Sequence, residues 1–110
     1  MIRVCKLEDI RDPGAKGFSL SHENRQLDVM VVRSDGSLHA YLNSCPHTGV
    51  NLDWMPNEFL DGTGKHIQCS THGAIFRIHD GFCIQGPCAG DSLTPVRTAV
   101  VEGGVFLLLD

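Results

Sequence analysis

The sequence predicts a small all-β protein built from one domain. The dipeptides Asp35-Gly36, Asp80-Gly81 and Gly103-Gly104 are typical of hairpin turns, and each separates two segments rich in Val, Ile, Leu or Phe. No part of the chain keeps a helical apolar period, so long helices are not expected. A length of 110 residues suffices for one modest hydrophobic core.

Six segments are predicted as the main strands, paired in three hairpins. They are 27–33 with 38–42, 74–78 with 82–85, and 96–101 with 105–109, and weaker candidates lie at 2–5 and 17–20. The first and last hairpins flank the middle of the chain. The simplest architecture is therefore an antiparallel β-sandwich base, residues 1–42 and 91–110, with a lobe at 43–90 inserted into it.

Charge and hydropathy narrow the function classes. A net charge of −4 does not indicate affinity for nucleic acid or for anionic membranes. A mildly acidic surface could meet a basic patch on a protein partner, but a solvated acidic surface needs no such purpose. No apolar run is long enough for a membrane helix, and the N-terminus lacks the basic start and apolar core of a signal peptide. We therefore expect a soluble protein of the cytoplasm.

Two short segments of the inserted lobe carry metal-ligand side chains. Cys-Pro-His-Thr-Gly stands at 45–49 and Cys-Ser-Thr-His-Gly at 69–73, and 21 residues (48–68) separate His47 from Cys69. A single metal ion could use the four ligands Cys45, His47, Cys69 and His72. The interleaved order suits a two-metal cluster better, with both cysteines on one iron and both histidines on the other. The glycine that ends each segment allows a tight turn close to such a cluster.

Two other interpretations of these residues compete with the cluster. Two cysteines and two histidines also form structural zinc sites, but zinc fingers usually take a cysteine pair from one knuckle and a histidine pair from another. The alternating order in this chain fits that plan poorly. A catalytic Cys/His dyad is less favoured, because nothing else in the sequence resembles a nucleophile site.

The two segments resemble the ligand loops of the Rieske [2Fe–2S] family. Rieske domains follow the second ligand loop with a hairpin and a third loop that carries Gly-Pro and packs over the cluster. Here Asp80-Gly81 supplies a two-residue turn, and Gly86-Pro87 follows after one short strand. The resemblance implies one Rieske domain over residues 1–110, whose lobe at 43–90 binds one [2Fe–2S] cluster through the cysteine and histidine ligands given above.

The neighbours of the ligands indicate which Rieske subclass the chain resembles. High-potential members bridge the two ligand loops with a disulfide, and the matching positions here are Val50 and Thr71. Those members also direct a serine and a tyrosine hydroxyl at cluster or ligand sulfurs. Ala74 and Phe76 stand at those positions and cannot donate. The resemblance therefore implies a potential near the low end of the Rieske range, roughly −150 mV.

The resemblance implies a one-electron carrier and no catalysis of its own. In small Rieske ferredoxins a flavoprotein reductase supplies the electron and an oxygenase often receives it. The chain is too short to include the mononuclear-iron domain of a Rieske oxygenase. One alternative is a Rieske-like small subunit of a reductase such as nitrite reductase. Another, of a different class, is a zinc-stabilised interaction module without redox chemistry.

The sequence leaves open the roles of the remaining cysteines and of one long segment. Cys83 and Cys88 flank Gly86-Pro87 and could form a local disulfide, although a reducing cytoplasm favours free thiols. Cys5 is interpreted as a small apolar strand residue. The segment 51–65, with Trp54 and Phe59, is either a partner-docking or cluster-shielding loop or a cover for the lobe's core, and we favour the cover.

Overall fold

The computed structural model describes residues 1–46, 51–53, 55, 57–69 and 73–109. Over these ranges the chain forms antiparallel strands and one 3₁₀ turn, Leu7–Asp9. The strands are β1 Ile2–Lys6, β2 Gly14–His22, β3 Arg25–Ser34, β4 Ser37–Leu42, β5 His66–Gln68, β6 Ile75–Arg77, β7 Cys83–Gln85, β8 Pro95–Val101 and β9 Gly104–Leu108. The all-β prediction is confirmed.

The strands of the described ranges form two sheets. A six-stranded sheet has the order β1-β9-β8-β4-β3-β2, and a three-stranded sheet has the order β5-β6-β7. The larger sheet takes its strands from the two ends of the chain, and the smaller sheet takes them from the middle. No helix in the described part of the chain is long and apolar enough to cross a membrane. The exact boundaries of base and lobe, at 43 and 90, stay predictions.

Strand β3 is buried on both faces and joins the two sheets. Val29 and Val31 point into a core of the larger sheet that includes Val105, whereas Met30 and Val32 point into a second core shared with the smaller sheet. Successive strand residues face opposite sides, so a strand covered on both sides carries a continuous apolar run. The apolar run at 29–32 therefore lets residues from the middle of the chain pack against one face of the larger sheet.

The turns explain where the predicted hairpins differ from the observed ones. Asp35 and Gly36 have φ of +50° and +78°, as a two-residue hairpin turn needs. The last hairpin turns at Glu102 and Gly103 instead of the predicted Gly103-Gly104, with φ of +50° and +76°. Gly104 begins β9, where a methyl group would lie 3.0 Å from the Nε atom of Arg3. Gly104 therefore lies in a close contact within the sheet and not in the turn.

The connection between β6 and β7 is longer than the predicted two-residue turn. The backbone N–H of Arg77 donates to the Phe82 carbonyl, so residues 78–81 form the loop. The Asp80 carboxylate accepts from the Phe82 backbone N–H and from the Arg77 guanidinium. These side-chain bonds stabilise a four-residue loop, which a dipeptide signal alone does not distinguish from a tighter one.

Two elements of the structure are not predicted from the sequence. The β2–β3 hairpin turns at Glu23 and Asn24, which have φ of +51° and +62° without a glycine. Strand β5 has only three residues, and its periodicity is too short to detect.

Tyr41 connects the larger sheet to the β6–β7 loop. Its buried hydroxyl donates to the Ile78 carbonyl at 2.6 Å, and its ring lies against Gly81. Burial, and secondarily the charge of Asp80, raises the pKa of Tyr41 to about 12. An ordinary tyrosine ionises at about pH 10. The folded protein therefore holds this proton more tightly than the unfolded chain between those two values.

We expect this tyrosine to make stability fall at high pH. Its stabilisation is complete below about pH 10 and is lost as the pH rises through about 12. The chain has one tyrosine, so tyrosinate absorbance in a pH titration reports on this residue alone. A Tyr41→Phe variant supplies the baseline and should lose less stability over the same range. Half-ionisation near pH 10 in the folded protein would contradict the assignment.

Candidate metal centre

Cys45 and Cys69 lie at the entrances of the two predicted ligand loops and share one buried core. Cys45 follows β4, and Cys69 follows β5 directly. They are 2% and 1% exposed, and both belong to the core that also contains Phe76. Neither is in a disulfide. The structure therefore brings two predicted ligands together as buried thiols, while His47 and His72 lie outside the described residues.

The second ligand loop is closed by its own backbone. The N–H of Cys69 donates to the Ala74 carbonyl at 2.9 Å, and the N–H of Gly73 donates to the Cys69 carbonyl at 3.1 Å. Gly73 has φ of +67°, a conformation that favours glycine. The predicted role of this glycine in a tight turn is confirmed.

Asn43 closes the first ligand loop and is a residue that the sequence interpretation missed. Its Oδ1 atom accepts from the Leu52 backbone N–H at 2.7 Å, and its Nδ2 atom donates to Asp53 at 3.1 Å. Asn43 is buried, and its bond to Leu52 joins the two ends of the segment 44–51. Its place two residues before Cys45 is a signal, since asparagine side chains often hold loops by bonding to nearby backbone.

Replacing Asn43 by alanine should loosen this loop. The Leu52 N–H would lose its acceptor in a buried place, which costs about 1–3 kcal/mol. Asn51→Ala is the matched control, because Asn51 is exposed. We expect Asn43→Ala to lower the urea midpoint of unfolding and to speed iron release to a chelator. Equal behaviour of the two variants would contradict the role given to Asn43.

The third loop packs against the second ligand loop. Gly86 has φ of +106°, and a methyl group on it would lie 2.8 Å from the Cα atom of Ala74. Only glycine permits this approach of the two backbones. The N–H of Ala89 donates to the Gly86 carbonyl at 3.1 Å and closes the turn around Pro87. The Gly-Pro loop therefore lies beside the residues that follow His72 in the chain.

Cys83 and Cys88 lie beneath this third loop. Their Sγ atoms are 3.1 Å apart, and Cys83 also bonds through its Sγ to the Gln85 carbonyl at 3.2 Å. No disulfide joins the two residues in this structure, and the free thiols of the protein stay a prediction. Burial raises the pKa of Cys88 well above its ordinary value. The hydrogen bonds and charges of the neighbouring Cys83 and Cys45 raise this pKa further. The pair therefore adjoins a predicted cluster ligand.

The segment 51–65 ties the lobe to the base. Phe59 is buried in the shared core, and its ring lies against Gly17 of β2. The side chain of Asn57 accepts from the Gly17 backbone N–H at 2.7 Å. Phe59 therefore covers the core, as the favoured interpretation proposed. Trp54 lies outside the described residues.

The family is shown by a match over most of the chain. Residues 1–100 match the Rieske [2Fe-2S] domain family. This chain therefore belongs to the Rieske family, whose domain binds a [2Fe–2S] cluster. No curated protein matches it.

Solved structures with the same fold come from carbazole 1,9a-dioxygenase. A chain of the complex of reduced oxygenase and oxidized ferredoxin has a TM-score of 0.75 at 21% identity, covering 97% of this chain and 100% of that one. The ferredoxin from Nocardioides aromaticivorans IC177 has a TM-score of 0.71 at 20% identity, covering 97% of each chain. A chain from the reduced complex between oxygenase and ferredoxin scores 0.75 at 22% identity, but this protein spans only 27% of it. At these identities the likeness establishes the fold.

The two described cysteine ligands fit the cluster. A [2Fe–2S] cluster needs cysteine side chains that are held in place and not joined as a disulfide. Cys45 and Cys69 meet that need, because both are buried in one core and neither is in a disulfide. The loops that carry them are closed by separate hydrogen bonds, at Asn43 for the first and at Ala74 for the second.

Proposed function

We propose that this chain is a one-electron carrier whose cluster is held by Cys45 and Cys69 on one iron and by His47 and His72 on the other. The observation that carries the proposal is the pair of buried cysteines at the entrances of two closed loops in one core. The order of cysteine and histidine in each loop matches the interleaved pattern of the family. The bound cluster would supply a site that takes up and releases one electron.

The charge of the ligands sets the direction of the potential. Two thiolates bring an oxidised [2Fe–2S] site to neutrality, and imidazoles add no charge, so an electron is accepted more readily than at an all-cysteine site. Hydroxyl donors near the sulfurs would raise the potential further. Ala74 and Phe76 are buried in the same core and offer none. We therefore propose a potential of roughly −150 mV, near the low end of the Rieske range.

We further propose that a flavoprotein reductase donates the electron and that an oxygenase accepts it. The support is the likeness, over nearly the full length of both chains, to the ferredoxin of carbazole 1,9a-dioxygenase. Longer chains from the oxygenase–ferredoxin complexes match over about a quarter of their length only.

Metal and sulfide analysis, followed by a redox titration, tests the proposal. Protein purified under conditions that preserve clusters should be red-brown, with about two irons and two acid-labile sulfides per chain. It should then titrate reversibly as a one-electron couple. Stoichiometric zinc without sulfide, in colourless protein, would favour the zinc-stabilised module instead. A parent potential well above roughly 0 mV, in the upper part of the Rieske range, would contradict the low-potential assignment.

A further inference from the structure

Cys83, the first residue of β7, and Cys88, after the Gly-Pro turn, flank a solvent-exposed segment. Residues 84–87 between them are all exposed, whereas the two cysteines are 1% and 2% exposed. The carrier role proposed above uses neither thiol. Two buried thiols that point at each other under a solvent-facing loop form a site of their own.

The backbone around the pair is already closed. The N–H of Cys83 donates to the Asp91 carbonyl at 2.8 Å, and the N–H of Gly90 donates to the Cys83 carbonyl at 3.2 Å. The N–H of Asp91 in turn donates to the Cys88 carbonyl at 2.9 Å. These bonds hold both cysteines in one turn, so their separation does not depend on a flexible loop.

The sulfur positions are close to those of a bonded pair. The Sγ atoms are 3.1 Å apart, whereas the atoms of a disulfide are about 2.05 Å apart. Cys83 bonds through its Sγ to the Gln85 carbonyl, and either sulfur could be the donor in the contact between Cys83 and Cys88. Side-chain rotations that bring the two sulfurs about 1 Å closer together would place them at bonding distance. No other covalent partner is needed.

We propose that Cys83 and Cys88 form a reversible dithiol–disulfide site that low-molecular-weight disulfides oxidise by exchange. One cysteine thiolate attacks the small disulfide RSSR, forms a mixed disulfide and releases one thiolate, RS⁻. The second cysteine then attacks the mixed disulfide, forms the Cys83–Cys88 bond and releases the second RS⁻. The two cysteines lose two protons and two electrons, and the reagent leaves as two thiols. Opening of residues 84–87, which comprise the end of β7 and the Gly-Pro turn, admits the reagent to the buried pair.

The bond would restrain the third loop, which packs on Ala74. Cross-linking the two ends of a short loop lowers the entropy of its open state. Because both thiols are buried, exchange is slow until residues 84–87 open. The site rests on the fold alone, and only its position beside a cluster ligand depends on the proposed function.

Thiol counting on the intact protein tests the site. Iron and sulfide are measured first, so that a failure of the cluster assignment is recorded separately. The protein is then incubated with oxidised glutathione, denatured, alkylated and weighed by mass spectrometry. We expect two fewer alkyl groups on the treated protein than on the untreated protein, no retained glutathione, an unchanged iron content and reversal by dithiothreitol. Peptide mapping should place the bond between Cys83 and Cys88.

Single variants make the result decisive. Cys83→Ser and Cys88→Ser should each keep the cluster with little change in absorption but should no longer lose a pair of thiols. Cys5→Ser is the matched control, since Cys5 is a buried thiol in the other core, and it should lose the same two thiols as the parent. Full retention of thiols in the parent would overturn the proposal. So would glutathione retained on one cysteine of the parent, or loss of iron together with the thiols.

Discussion

Cys45→Ser and Cys69→Ser should each abolish cluster binding. A serine hydroxyl stays protonated near neutral pH and is a harder, weaker ligand than a thiolate. Both cysteines are buried, so each substitution also leaves a polar group in the core that closes the two ligand loops. Because binding and folding are coupled at such sites, the lobe at 43–90 should largely unfold. Visible absorption and iron content measure the first effect.

The matched control for this loss is Cys5→Ser. Cys5 is also buried, but it belongs to the core of the larger sheet with Val105 and Leu107. That variant should keep the visible spectrum and the iron content of the parent. Near-complete amide-exchange protection of β1 and β9 in the Cys45→Ser protein would show that the base survives without the lobe. A Cys45→Ser protein with the parent's spectrum would show that the ligand assignment is wrong.

Ala74→Ser and Phe76→Tyr should each raise the potential of the cluster. A hydroxyl donor stabilises the reduced state more than the oxidised one, because reduction puts negative charge on the sulfurs. A charge-assisted bond of about 1–2 kcal/mol corresponds to roughly 40–90 mV for a one-electron couple. Spectroelectrochemical titration of parent and variants at one pH, well below any titration of the ligand histidines, measures the shift.

The structure sharpens the design of that experiment. Ala74 packs against Gly86 so closely that a methyl group on Gly86 would lie 3.0 Å from the Ala74 Cβ atom. In the Ala74→Ser variant the hydroxyl therefore has to turn away from the third loop. Ala99→Ser in β8 is the control, because it adds the same hydroxyl to the larger sheet and should leave the potential unchanged. Variants that keep the parent potential with the hydroxyl in place would contradict the hydrogen-bond explanation and leave the cluster assignment intact.

Local chemistry explains which parts of the fold were predictable. The turn at Asp35-Gly36 requires two residues with positive φ, and that need is visible in two adjacent letters of the sequence. The turn at Glu23 and Asn24 adopts the same geometry without a glycine, because the long β2–β3 pairing imposes it. The three residues of β5 form a strand through their neighbours, with Ile67 opposite Phe76, and not through a pattern of their own.

The candidate site likewise has one part that the sequence predicts and another part that depends on the fold. The order of Cys45, His47, Cys69 and His72 is a local pattern, so the ligand prediction needs no structure. The closeness of Cys83 to Cys88 depends on backbone bonds to Asp91, which no short motif encodes. The bond from Asn43 to Leu52 likewise crosses the whole first ligand loop. Contacts that close a loop from outside are therefore the part that sequence patterns miss.

Pulsed electron paramagnetic resonance of the reduced protein tests the ligand set most directly. When the histidines are isotope-labelled at their ring nitrogens, couplings in the spectrum identify the imidazoles that are bonded to the paramagnetic cluster. We predict couplings from two histidine nitrogens, unchanged in His39→Gln and His66→Gln, whose side chains lie on strands β4 and β5. A reduced cluster without a directly bound histidine nitrogen would contradict the assignment of His47 and His72, and with it the Rieske centre proposed for this chain.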